Sequence, residues 1–565
     1  MMVRICALVV LLSAPIVLTT EQTPDNARGS RGSVKVQLLA INDFHGNLEP
    51  PSGTGALIGS TESGGAEYLA THLKNAVSQN PNSIIVAAGD LIGASPLLSG
   101  LFHDEPTIES MNAMNLAVSS VGNHEFDEGW PELVRMQKGG CHPTDGCQDG
   151  DGFSGARFQY LSANVLQQRA PRPAPLLPAT TIRTIAGVKI GFIGETTKGT
   201  PQLVTSSGVQ GLTFLDEAST ANAYASRLQR QGVNAIVLLI HEGGRQSTEN
   251  GVLDPNGCEN FSGPIDDIAR KTSASIKVII SGHTHRFYNC NIEGHLVTSA
   301  ASLGRLFTRV TLTIDRAKGT IIDASATNEV VTRDVAKDPE QTRIIRKYDA
   351  VSAPISARIV GSITSDIRRG LNRAGESALG DVIADAQLAA ASSKDRGGAV
   401  AAFMNVGGIR SELVGTESGS GGSPRQVTYG ELFAVQPFGN VVTVLTMTGE
   451  EIKRVLEQQF DNPVPGQHEI LQVSQGFTYR YALNAPPGDR VDPASIKIGG
   501  KLIGPTDQVR VTANNFLIAG GDSFTAFAEG RGKVGGIPDV DALAEYFKAH
   551  SPVRPGPQDR IVRTD

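Results

Sequence analysis

The stretch Val121-Gly122-Asn123-His124-Glu125-Phe126-Asp127-Glu128-Gly129 follows an apolar run, Ala117 to Val121, and breaks at a glycine into a dense set of polar side chains. An amide, an imidazole and three carboxylates within six residues can supply a metal ligand, a proton donor and a group that orients the donor. Taken alone, the same stretch also reads as a capped helix start with Asn123 as N-cap. The rest of the chain separates the two readings.

On either side, short β-branched runs bounded by glycine alternate with helical segments. Val34 to Ile41 ends in Asn42-Asp43-Phe44-His45, and Ser83 to Gly89 stops on Asp90. Val188 to Ile193 follows, then Ala235 to His241, then Ile276 to Gly282, which leads into His283-Thr284-His285. With helices expected near Ala66 to Ser78 and Pro106 to Met114, this pattern indicates an α/β layered domain closed by strands between Thr311 and Val335. Five runs end at the carboxyl side in residues able to bind a metal: Asp43 and His45, Asp90, Asn123, His241, and His283 with His285. Ligands collect outside the carboxyl ends of strands in such sheets. A single histidine after a strand is more often a hydrogen-bonded structural residue; five endings of this kind point to one shared site.

A chain of 565 residues exceeds one core and implies two domains. Its net charge of −7 gives no general attraction to nucleic-acid polymers or anionic membranes, so an anionic substrate would need local positive charge or metal. Residues 1–20 read as a signal peptide, with Arg4 before an apolar core from Ala7 to Leu18; a retained N-terminal anchor is the alternative. No other run is long enough to cross a bilayer, so the mature chain is expected to be periplasmic or extracellular without a stable membrane span. Beyond Cys6, the four cysteines then favour two disulfides, and Cys141–Cys147 with Cys258–Cys290 is preferred because each pair flanks one local loop. A metal site of Cys141, His142 and Cys147 is the sharper alternative. Asp149-Gly150-Asp151-Gly152 reads as a solvated turn rather than a calcium loop, lacking a downstream ligand set.

At Asp338-Pro339 a helix begins, with Asp338 as cap, and is expected to run to about Val351 with Ile344, Ile345 and Tyr348 on its apolar face. It is read as a linker, 336–358, to a second domain, 359–565. That domain is expected to open with Glu376 to Asp381 leading into a helix from Val382 to Ala391, and residues 415–424 form a flexible loop. Thr448 and Glu451 form a capping box.

Asn-Asp-Phe-His (42 to 45), Gly-Asp (89 and 90), Gly-Asn-His-Glu-Phe-Asp (122 to 127), His241 and Gly-His-Thr-His (282 to 285) resemble the calcineurin-like metallophosphoesterase signature. Their order, together with Asn-x-Gly-Gly-Ile-Arg (405 to 410), Gln-Pro-Phe-Gly-Asn (436 to 440) and Gly-Gly-Asp (520 to 522), is similar to the exported 5′-nucleotidase / UDP-sugar hydrolase family over about 34 to 550. The resemblance implies a β-sandwich flanked by helices at 34–335, joined by a helix to a smaller α+β substrate-binding domain. It implies one divalent metal on Asp43, His45, Asp90 and His285 and a second on Asp90, Asn123, His241 and His283. Nitrogen and oxygen donors without thiolate suit Zn, Mn, Fe, Co or Ni.

By the same resemblance His124 is a catalytic imidazole outside the ligand set, oriented by Asp127. Arg373, Asn405, Gly407, Gly408, Arg410, Phe438, Asn440, Phe516 and Asp522 bind the nucleotide: the two phenylalanines stack on the base, Asn440 and Asp522 bond base or ribose, and the arginines meet phosphate. Spacing alone would place Phe516 in the core. Asp381 departs from the family pattern, and a carboxylate there would repel phosphate and disfavour longer polyphosphates. The implied activity is hydrolysis of nucleoside 5′-monophosphates by metal-bound water or hydroxide attacking phosphorus. UDP-sugar pyrophosphatase and 2′,3′-cyclic nucleotide phosphodiesterase are the alternatives within that chemistry, and a non-catalytic nucleotide-binding surface protein is the alternative outside it.

Overall fold

Strands covered on both faces read as unbroken apolar runs, and the runs that end in polar residues are of this kind. The computed structural model describes residues 32–565 except 169–171, 250, 416–423 and 464. The expected signal peptide and nearly all of the expected flexible loop lie outside the described residues.

Twelve strands build the two main sheets of the first domain: β1 (Ser33–Ile41), β2 (Ser83–Ala88), β3 (Leu116–Ser120), β4 (Gln159–Leu161), β5 (Thr180–Ile185), β6 (Val188–Thr196), β7 (Ala235–His241), β8 (Ile276–Ser281), β9 (Phe287–Ile292), β10 (His295–Ala300), β11 (Leu306–Asp315) and β12 (Ile321–Val330). They form two six-stranded mixed sheets, ordered β12-β11-β1-β2-β3-β4 and β9-β10-β8-β7-β6-β5. The runs β1 to β4 and β6 to β8 to β10 are parallel, so the polar strand ends share one edge. Alternation along β1 explains the layering. Val36, Leu38 and Ala40 pack between the sheets with Val237, Leu239 and Ile280. Leu39 and Ile41 face the other way, towards Leu69 and Leu73 of helix Ala66–Gln79 and Ile108 of helix Glu105–Ala113. Helices Glu217–Arg230 and Pro264–Lys271 cover the second sheet through Ala221, Leu228 and Ile265. The expected sandwich flanked by helices is present.

Helix Pro339–Ser356 carries the chain onward. Asp338 caps it, accepting from the Glu340 and Gln341 amides at 3.1 and 3.2 Å. It runs past the expected end at Val351, because Pro354 falls in the last turn and forgoes one backbone bond without stopping the helix. Tyr348 is buried and donates to Asp149 Oδ2 at 3.0 Å, while Lys347 meets Asp149 and Asp151 at 2.8 and 2.9 Å. The acidic turn is therefore answered by a lysine and a tyrosine, which fasten it to this helix.

The second domain centres on a five-stranded sheet of β13 (Ala401–Met404), β14 (Val441–Thr448), β15 (Gln472–Val473), β16 (Gln508–Asn514) and β17 (Arg531–Pro538), ordered β15-β13-β16-β14-β17. The Thr448–Glu451 capping box is formed. The helix expected from Val382 begins at Ala378, since Ser377 Oγ accepts from the Gly380 amide at 3.2 Å and caps it earlier. Asp381 thus falls inside the first turn, wholly buried, with Oδ1 3.8 Å from Arg560 Nε and Oδ2 accepting from the Gln558 amide. Burial raises its carboxyl to about 8. It faces the domain interior, so the expected repulsion of phosphate by Asp381 is corrected.

Both disulfides pair as expected, Cys141 with Cys147 and Cys258 with Cys290. The alternative metal site needing both Cys141 and Cys147 thiolates is thereby excluded. Cys290 is buried in the second sheet's outer core, and its partner lies 32 residues away. Closing a loop of that length restrains the unfolded chain, so replacing Cys258 and Cys290 together by alanine is expected to cost about 2–4 kcal/mol, read as a lower urea midpoint under oxidising conditions.

Candidate active site

The polar strand ends turn inward through unusual backbone. Asp43, His45, Asp90, His283 and His285 all adopt left-handed φ, between 49° and 73°. Non-glycine residues hold that conformation only where surrounding structure enforces it, and such positions gather at functional sites. Here they aim side chains from both sheets at one point. Donor atoms of Asp43, His45 and His285 cluster together, as do those of His45, Asp90 and His124, and of Asp90, His241 and His283, with Asp90 common to two sets.

The donors fit cations. His45 Nε2 and His285 Nε2 lie 3.0 Å apart, and His285 Nε2 lies 3.3 Å from Asp43 Oδ1. His45 Nδ1 faces the Gly93 carbonyl at 2.9 Å and His241 Nδ1 the Ala88 carbonyl at 2.7 Å. Those contacts assign the protons to Nδ1 and leave each Nε2 as a ligand atom. His241 Nε2 and Asn123 Oδ1 are buried and have no hydrogen-bond partner of acceptable geometry, although Asp90 Oδ2 lies 2.9 Å from His241 Nε2. Burial holds His45, His283 and His285 below the ordinary imidazole range, in the neutral form that ligates. Burial also opposes charge on His241, but Asp90 and Asp43 pull it up to about 10, so a cation binding there displaces a proton. Asn123 makes no side-chain cap bond, which sets aside its reading as an N-cap.

Glu125 organises the loops. Its carboxylate accepts from the backbone amides of Asp90 and Leu91 at 2.9 Å each and of Gly122 at 2.5 Å, with the Tyr160 hydroxyl at 3.4 Å. Asn42 Nδ2 donates to Asp43 Oδ2 at 2.7 Å, the His283 amide to Asp43 Oδ1 at 3.0 Å, and the His124 amide to Asp90 Oδ1 at 2.9 Å. His124 Nδ1 meets Asp127 Oδ2 at 2.8 Å. Burial lowers the His124 imidazole, but Asp127 and Asp90 together raise it above its ordinary value.

The second domain reaches the same point. Arg410 Nη2 comes within 3.5 Å of His45 Nε2, and its guanidinium lies over the Phe438 ring at 5.7 Å. Phe438 in turn stacks on His124, with centroids 5.6 Å apart. Asn405 Nδ2 donates to Asp522 Oδ2 at 2.7 Å, and Asn405 Oδ1 accepts from Asn514 Nδ2 at 3.0 Å. Burial raises Asp522 to about 6. Gly408 leaves no room for a side chain beside Met404 and Asn405, whereas Gly407 has ordinary space facing Asp522. Asn440 is buried, with its carbonyl accepting from the Asp539 amide. Phe516 is half-buried, its ring lying against Gly521, and so stands outside the core that spacing alone gave it.

Arg373 is the exception. It is exposed and donates to the carbonyl of Asp565, away from this cleft. Arg369 stands in the cleft instead, donating from Nη1 to the Ile409 carbonyl at 3.0 Å. A cavity of about 870 Å³ opens from His45, His283 and His285 past Arg410, Arg369 and Arg305.

Gly122 is where this packing is tightest. A Cβ there would stand 2.1 Å from Asp90 Oδ1. Gly122→Ala is therefore expected to displace Asp90 and weaken metal retention at least about tenfold, the range seen when groups orienting ligands are lost, measured by metal analysis after dialysis.

Residues 36–287 match the calcineurin-like phosphoesterase family and residues 359–529 the 5′-nucleotidase C-terminal domain. A Bacillus subtilis protein named Endonuclease YhcR is 33% identical over 91% of this chain, which spans 40% of that relative. A Listeria monocytogenes protein named Cell wall protein Lmo0130 is 33% identical over 94% of the chain and 69% of its own length. The crystal structure of a 5′-nucleotidase precursor from Thermus thermophilus superposes with a TM-score of 0.76 at 25% identity, covering 94% of this chain and all of that one. With both domains matched in order, and with their residues meeting in one cleft, the chain belongs to the 5′-nucleotidase family of metal-dependent phosphoric ester hydrolases.

Proposed function

We propose that the protein hydrolyses nucleoside 5′-monophosphates to nucleoside and phosphate at a centre of two divalent metals. Asp43, His45, Asp90 and His285 would hold one cation, and Asp90, Asn123, His241 and His283 the other. The observation that carries this reading is the buried Asn123 Oδ1, which has no hydrogen-bond partner, set with His241 Nε2 and His283 around the shared Asp90. When bound, the cations supply Lewis acidity towards the phosphoryl oxygens and towards water.

The chain's own groups do the rest. With Nδ1 committed to Asp127, His124 has Nε2 left to donate to the leaving oxygen. Arg410, which makes no ion pair among the described residues, brings fixed positive charge to the phosphate, and Arg369 takes the part expected of Arg373. Phe438 and Phe516, both half-buried, would stack on the base, while Asn405, Asp522 and Asn440, with Gly407 and Gly408 giving close approach, bind base or ribose. Phe438 lies on His124, so a substrate must part the two domains to enter, with the helix at 339–356 as hinge. Two disulfides support an exported, periplasmic or extracellular setting. No helix among the described residues is long and apolar enough to cross a membrane.

A second reading draws support from the cavity beyond Arg410, which offers room and positive charge for a group on the far side of the phosphate. With Asp381 turned inward, nothing on that residue disfavours UDP-sugars or phosphodiesters, and the name of the Bacillus relative places a phosphodiester bond among the substrates to try.

Chromatographic analysis of the products from AMP, ADP, UDP-glucose and 2′,3′-cyclic AMP, each with Mn, Co, Zn or Ni, ranks these readings: AMP would give adenosine and phosphate, UDP-glucose UMP and glucose 1-phosphate, and the cyclic nucleotide a nucleoside monophosphate. AMP is expected to be hydrolysed, with activity lost to chelator and restored by metal; no product from any substrate with any metal would favour a binding protein. His124→Ala is expected to lower kcat by about 10²–10⁴ with bound metal nearly unchanged, and loss of both metals would contradict its role outside the ligand set.

A further inference from the structure

A second group of ligand-type side chains lies outside this centre. His103 precedes helix Glu105–Ala113, Glu128 ends the stretch that carries Asn123 and His124, Glu132 sits in helix Trp130–Lys138, and His142 lies in the loop closed by Cys141–Cys147. One donor atom from each of the four lies within 4.8 Å of the other three. The two imidazoles are parallel, with centroids 3.7 Å apart. His103 Nδ1 faces Glu128 Oε2 at 2.7 Å, and its other nitrogen, Nε2, faces Asp145 Oδ2 at 2.9 Å.

We propose that His103, His142, Glu128 and Glu132 form a further transition-metal site, of the class that takes Zn²⁺, distinct from the centre around Asp90. Two imidazoles and two carboxylates are a suitable donor set for that ion. Asp145 plays the part of the outer carboxylate, holding the His103 Nε2 proton and so turning Nδ1 to the metal. His142 and Asp145 share the short loop closed by the Cys141–Cys147 disulfide, which restrains both before any cation binds. Arg135 packs against the group but pairs with Glu132 and Glu105; among the described residues Glu128 pairs with the His103 imidazole, and Asp145 with those of His103 and His142 at 2.9 and 3.5 Å. Glu128 and Asp145 draw His103 up to about 9 against the effect of its burial, and a divalent ion would replace the proton. A cation there would tie the disulfide loop to the end of the catalytic stretch.

Metal content of the full chain tests this. Protein stripped by chelator, re-equilibrated with Zn²⁺ alone and dialysed is assayed for zinc per chain, alongside His142→Ala, His103→Gln and Asp90→Asn variants. Each histidine variant is expected to retain one equivalent fewer than the parent while keeping AMP hydrolysis, if the parent shows it. Asp90→Asn is expected to lose centre metal yet keep the equivalent that the histidine variants lose. Loading with Co²⁺ gives an independent readout, since the visible bands of the extra site should vanish in both histidine variants. Unchanged zinc content and unchanged bands in both variants would overturn the proposal.

Discussion

A carboxylate taken wholly out of water must be answered by charge and by hydrogen bonds, and Asp90 is such a carboxylate. Its own loop is held by Glu125, its Oδ1 accepts from the His124 amide, and its Oδ2 lies 2.9 and 3.6 Å from two imidazoles. Those imidazoles, His241 and His45, come from different sheets. The two halves of the sandwich are thus brought into register at their strand ends by groups that converge on one carboxylate. The left-handed turns at Asp43, His45, Asp90, His283 and His285 follow from that demand, as does the glycine at 122, where any side chain would strike Asp90.

The cost of this arrangement is borne by the packed scaffold around it. β1, β2, β7 and β8 are apolar on both faces, fixed between the inter-sheet core and the flanking helices. Rigid strands place their last residues reproducibly, so catalytic geometry can reside in short turns. The second domain contributes a different kind of group. Arg410 and Phe438 bring one fixed charge and one π-face against the buried imidazoles, a combination suited to an anion joined to an aromatic base.

Much of this was legible in the chain, for a physical reason. Strands buried on both faces leave long apolar runs, and a run that ends abruptly in Asp, Asn or His advertises a site at the sheet edge. Other features carried no such signal. The role of Glu125 carries no sequence signal, because the loop amides of Asp90 and Leu91 that it joins to Gly122 lie 35 and 34 residues away. Arg369 and Arg373 are similar residues in one irregular segment, and only the turn through Asn372 decides which reaches the cleft. Asp381 was misplaced because the cap at Ser377 starts the helix one turn early and rotates that carboxylate inward. Phe516 escaped the core because it opens a short turn after β16 rather than lying in a strand.

The central claim is that Asp90 is shared between two cations. Anomalous diffraction from crystals of the protein equilibrated with Mn²⁺ tests it most directly. The account predicts two peaks, one among Asp43, His45 and His285 and one among Asn123, His241 and His283, with Asp90 touching both. A single peak, or two peaks of which either lies away from Asp90, would contradict it.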